Sequence, residues 1–123
     1  MTRQVNVDIY AKVFVSNSLE IEAFTELLCR FSETAVRGNF FEIHTDEISF
    51  DVEDNDDWNP AKSEFLHFKH YLEVNPFIGI AEDRFLHALA KLVAFIKKQG
   101  FSVVTACNDE DQLAQLVEKE LTA

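Results

Sequence analysis

The sequence predicts an α+β fold: a two-layer sandwich with a mostly antiparallel sheet and helices on one face. Three observations carry this expectation. Several segments alternate apolar and polar residues with a period of two, the pattern of half-buried strands. Three others repeat apolar residues at helical spacing. The alternating segments each keep a polar face, so one side of the sheet must be covered and the other left open.

The first strand is expected over residues 5–15. Val5, Val7, Ile9, Ala11, Val13 and Val15 alternate there with Asn6, Asp8, Tyr10, Lys12 and Phe14. Ser16-Asn17-Ser18 offers turn and N-cap chemistry, with Glu20 three residues beyond Asn17 in capping-box position. Ile21, Phe24, Leu27, Leu28 and Phe31 then predict an amphipathic helix over about 19–36, which Gly38-Asn39 stops. A hairpin follows at 40–44 and 47–53, its apolar face formed by Phe41, Ile43, Ile48, Phe50 and Val52. The run from Asp54 to Pro60 reads as a loop, and 63–74 as a further strand ended by Asn75-Pro76.

Phe85, Leu86, Leu89, Leu92, Val93 and Ile96 predict a helix over 81–99, with Lys97 and Lys98 suiting its C-terminal dipole and Gly100 ending it. Phe101 to Ala106 reads as a short buried strand. Asn108 can cap a last helix striped by Leu113, Leu116, Val117 and Leu121. The expected order is β-α-β-β-β-α-β-α. Without one middle strand and the last helix it becomes β-α-β-β-α-β, so a ferredoxin-like variant is expected. Its core should hold Val7, Ile9, Val13, Phe24, Leu28, Phe50, Leu89 and Val104.

The 123 residues suit one domain spanning 1–123, and a hydrophobic share of 47% is enough for a core without disulfides. Cys29 and Cys107 lie far apart and read as buried, reduced thiols. The start, Met1-Thr2-Arg3-Gln4, lacks the apolar run of a signal peptide, and no stretch has the length of a membrane span, so a cytoplasmic protein is expected. The formal net charge of −11 repels nucleic-acid phosphates and anionic lipid, so neither nucleic acid nor membrane is an expected partner. A cationic partner is favoured.

The charge is concentrated between Glu42 and Asp57. Glu42, Asp46, Glu47, Asp51, Glu53, Asp54, Asp56 and Asp57 fall there with no Lys or Arg between Arg37 and Lys62. Such a segment is a solvated face, a dock for a basic protein, or a cation site. Asp51, Glu53, Asn55 and Asp57 follow the odd spacing of a calcium loop, but position 56 is Asp where that loop needs Gly, and position 62 is Lys where it needs Glu. Trp58 closes the segment, either as a lid on the core or as an interface anchor.

Catalytic and cofactor signatures are missing. His67 and His70, three apart on a strand, point to opposite faces. Zinc spacings, a nucleophile elbow and a phosphate-cradling glycine loop do not occur, and the chain has only three Gly. No cofactor or metal is expected. The polar face of the sheet should carry Tyr10, Phe14, Phe65, His67 and Tyr71, more aromatic rings than a solvated face needs, so it is expected to be a second interface or to be covered by the acidic loop.

These properties suit a small acidic binding protein that neutralises a basic protein. Bacterial immunity proteins and antitoxins, which block cationic nuclease toxins, share this profile of size and charge. Two alternatives fit the same sequence: an enzyme or small-ligand binder with a pocket between sheet and helices, involving His44, His67 or Cys107, and a homodimeric regulatory domain associating through the open sheet face.

Overall fold

The computed structural model describes residues 4–56 and 68–123. These residues form an α+β two-layer sandwich with six antiparallel strands and three helices. Strand β1 spans Ala11–Ser16, helix α1 Ile21–Leu28, and strands β2, β3 and β4 span Val36–Arg37, Glu42–His44 and Ile48–Asp54. Strand β5 (His70–Pro76), helix α2 (Glu82–Lys98), strand β6 (Ser102–Ala106) and helix α3 (Glu110–Thr122) complete the order. The sheet runs β2-β3-β4-β5-β1-β6, antiparallel at every neighbour. The described residues thus carry one more strand than the sequence predicts.

The period-two pattern sets the faces. Ala11, Val13 and Val15 of β1, Phe50 and Val52 of β4, and Leu72 and Val74 of β5 are buried on one side. Register locks them together, with Val13 opposite Leu72 and Phe50 opposite Val74. A one-residue slip would turn this whole apolar set to solvent. Helices α1 and α2 cover the face with Phe24, Leu28, Leu89, Leu92 and Ile96, all fully buried. Helix α3 packs against α2 through Leu113 and Val117.

Several expectations need correction. The first strand begins at Ala11. Asn6 accepts the Asp8 N–H through its side-chain carbonyl at 3.0 Å, and this local turn breaks the strand. Val5 therefore makes only a single bridge to Phe77, and Val7 is 72% exposed.

Helix α1 stops at Leu28, well short of residue 36. Ser32 and Thr34 bond to each other locally, which competes with helix, and Val36–Arg37 is taken up as an edge strand beside β3. Phe31 still reaches the core from the turn, edge-on to Phe50 and Phe95. Asn17 accepts the Leu19 N–H, but the N-cap residue is Glu20, with no side-chain capping bond, and no capping box forms. Helix α3 likewise starts from Asp109, not Asn108, and no side chain caps it.

Strand β5 continues through Asn75 to Pro76, where a missing N–H is tolerated because the strand ends. Its expected first part, 63–67, lies outside the described residues. Strand β6 is not buried on both faces. It is an edge strand, and Val104, opposite Phe14 on the uncovered side, is 43% exposed.

Candidate functional site on the open face of the sheet

The face away from the helices is assembled from alternate residues of four strands. One row runs straight across them: Glu42 on β3 lies opposite Asp51 on β4, Asp51 opposite Glu73 on β5, and Glu73 opposite Lys12 on β1. Three carboxylates therefore stand side by side before the first cation. Like charges directly opposite across strands destabilise a sheet by roughly 0.2–1 kcal/mol per pair. Lys12 compensates only the near end, 3.9 Å from Glu73. At the far end the His44 Nε2 lies 2.8 Å from Glu42 Oε1.

Asp51 occupies the middle of this row. Desolvation on the sheet, then the charges of Glu42, Glu53 and Glu73, raise its carboxyl above the ordinary range, against a smaller lowering pull from His44. The strands thus hold a carboxylate where its neighbours oppose its charge.

The adjacent row is aromatic. Glu53 lies opposite Tyr71, and Tyr71 opposite Phe14. The Tyr71 hydroxyl donates to Glu53 Oε2 at 2.6 Å, and this bond, with burial and nearby carboxylates, pushes the phenol well above its usual pKa. The Phe14 and Tyr71 rings sit 5.7 Å apart, and Lys12 Nζ lies 5.3 Å from the Tyr71 ring centre. Tyr10 extends this side of the face from the residue before β1 and is largely exposed.

The acidic segment read from the sequence as one block is divided by the fold. Glu42, Asp51 and Glu53 share the open face. Glu47 sits at the β3–β4 turn and is held by Arg84 of α2, with Nη2 at 2.8 Å. Asp46 is exposed in the same turn. Asp54 lies at the end of β4 opposite His70, its Oδ1 3.3 Å from His70 Nε2, and Asp56 is exposed just beyond. Counter-charges absent from the segment itself thus arrive from other elements. Asp57, Trp58, Phe65 and His67 lie outside the described residues. Asp51 and Glu53 belong to a regular strand, which cannot wrap a calcium ion as a loop does. Among the described residues no group of three His, Cys, Asp or Glu side chains is placed to hold a metal ion.

His70 is fully buried on the helix side of the sheet. Its Nδ1 accepts from the Asn17 side-chain amide at 3.0 Å, and Phe24 stacks on its ring. Burial lowers its pKa, while Asp54 opposes the shift. Its Asn17 and Phe24 contacts tie the start of β5 to the start of α1. Cys107 lines a small cleft with Tyr10 and Phe85. Burial raises its thiol pKa, partly offset by a backbone hydrogen bond at Asp109, and so disfavours the thiolate.

Phe40 was invisible as a functional candidate because it sits in what reads as a strand. In the structure it occupies the β2–β3 turn with φ of 52° and is 87% exposed. A bulky residue at positive φ is strained. Arg37 holds it there, donating from Nε at 3.0 Å and Nη2 at 2.9 Å to the Phe40 carbonyl, while its guanidinium also engages Glu22 and Glu26 of α1. The ring is thereby presented to solvent from an anchored turn. The only advance signal is Gly38-Asn39 immediately before it. No helix among the described residues is long and apolar enough to cross a membrane. Comparison with family models, curated proteins and solved structures finds no match for this chain.

Proposed function

We propose that this protein is a small acidic binding protein that takes a basic protein partner onto the open face of its sheet. The single observation that carries the reading is the Glu42–Asp51–Glu73 row, three carboxylates in cross-strand contact with one lysine at the end. A row of this kind lowers sheet stability, and Lys or Arg side chains from a partner would supply the missing counter-charge. Phe14 and Tyr71 beside the row offer the aromatic contact that charge alone lacks, and the exposed Phe40 ring offers a further one.

A partner with a phosphate-binding cleft has the complementary surface. This supports the more specific proposal that the protein acts as an immunity protein or antitoxin, covering the cleft of a cationic nuclease toxin so that substrate cannot enter. Blocking of this kind needs no catalytic group on the acidic protein.

The test begins with partners captured from host cells on the wild-type chain and on an Asp51→Asn, Glu73→Gln variant. Binding kinetics of the captured protein then follow across a salt series. The expected partner is basic, and its association should slow with added salt, because surface charges are screened beyond about 8 Å at physiological ionic strength. The neutralised variant should associate more slowly and with a weaker salt dependence. Unchanged kinetics for that variant at every salt concentration would overturn the proposal.

A further inference from the structure

The two edges of the sheet are built differently. Edge strand β2 has only two residues, a length that offers little to pair with. Edge strand β6 runs for five residues, Ser102-Val103-Val104-Thr105-Ala106, with no charge, no proline and no bulge. Natural edges usually carry at least one of those protections. Antiparallel pairing to β1 uses the inward-facing backbone groups of alternate residues, so the others point outward. Among the described residues no backbone group meets that outer side.

A cleft of about 340 Å³ runs between β6 and the α2–α3 pair. Val93, Val103, Leu113 and Val117 line it, Glu110 and Glu118 stand on its α3 wall, and Lys97 of α2 lines it as well. A strand added to β6 would drop alternate side chains into this cleft. We propose that β6 and the cleft form a strand-addition site for a short, basic, extended segment of a partner protein, with apolar residues at alternate positions. Charge selects this occupant. Helix α3 carries four carboxylates and one lysine, and the whole chain carries −11. A second copy paired through β6 would set two such helices together, whereas a basic segment is drawn to Glu110 and Glu118, which outnumber Lys97 in the cleft. The cleft lies on the helix side of the sheet, away from the carboxylate row, although β6 borders the row's Lys12 through Ala106, and the proposal stands without the open-face reading.

The probe is acetyl-Lys-Lys-Val-Thr-Val-Thr-Val-Lys-Lys-amide, added to isotope-labelled protein and followed by amide NMR and hydrogen exchange. Saturable shifts should fall on Ser102–Ala106 and on the α3 wall, and the β6 amides should exchange more slowly. N-methylation of the five central peptide residues, or Ala114→Trp in the exposed cleft wall, should each weaken binding by about tenfold or more. Glutamate in place of the lysines should have a similar effect. The Asp51→Asn, Glu73→Gln variant should bind the probe normally, so failure of the open-face reading leaves this result intact. Shifts confined to the carboxylate row, equal binding of the N-methylated probe, absence of binding, or a dimer with protected β6 amides before any peptide is added would each overturn it.

Discussion

Replacing Asp51 with Asn is the sharpest test of the carboxylate row. Asp51 has two direct cross-strand neighbours of like charge, Glu42 and Glu73. At roughly 0.2–1 kcal/mol per opposed pair, removing its charge should stabilise the fold by about 1 kcal/mol. For a chain of this size, that corresponds to a rise in Tm of about 3–5 °C.

The pH dependence follows from the direction of the Asp51 shift. Its carboxyl pKa is raised in the folded state, so the folded chain holds the proton to higher pH than the unfolded chain. The wild-type penalty is therefore full at neutral pH and disappears as pH falls through the folded value. The gap between Asp51→Asn and wild type should narrow over that same acid range. Salt should narrow it only partly, because opposed side chains lie closer than a Debye length. The assay is thermal unfolding by circular dichroism at neutral and mildly acidic pH, in low and high salt. If the variant is less stable than wild type at neutral pH in low salt, Asp51 contributes a structural bond and the reasoning about the row fails.

Leu89→Asp puts an unpaired charge at a fully buried site on α2, and at about 4 kcal/mol or more it should abolish cooperative unfolding by circular dichroism. Phe40→Gly relieves a positive φ without removing core contacts, so chemical denaturation should show a gain of about 0.5–1 kcal/mol, while the captured basic partner should dissociate faster. The folded pKa of His70 is lowered, so the unfolded state takes up its proton first; stability should be full above about pH 6.5 and decline as pH falls from there toward the folded value. Urea melts from pH 7 to pH 5 should show this decline in wild type and a flatter one in His70→Gln.

Strands β1, β4 and β5 and helix α2 were legible because a long apolar period is a direct record of one-sided burial. Eleven residues from Val5 to Val15 nevertheless overstated β1, since the periodicity does not register that Asn6 can bond Asp8 and turn the chain. Helix α1 was overstated for the converse reason: its last turns were traded for an edge strand that only β3 can recruit. Sequence also established the charge, the lack of catalytic motifs and the identity of the acidic segment. It could not divide that segment. Glu47 is neutralised by a residue 37 positions away, and Asp51 is only weakly compensated because residues from β3 and β5 flank it with more carboxylates. Pairing between strands is a long-range choice, and it decides which charges face one another. The strain at Phe40 is likewise a property of the turn between β2 and β3, fixed by an arginine held from α1. Composition and periodicity set which faces are apolar and how much charge the chain carries; tertiary register set where that charge stands unopposed.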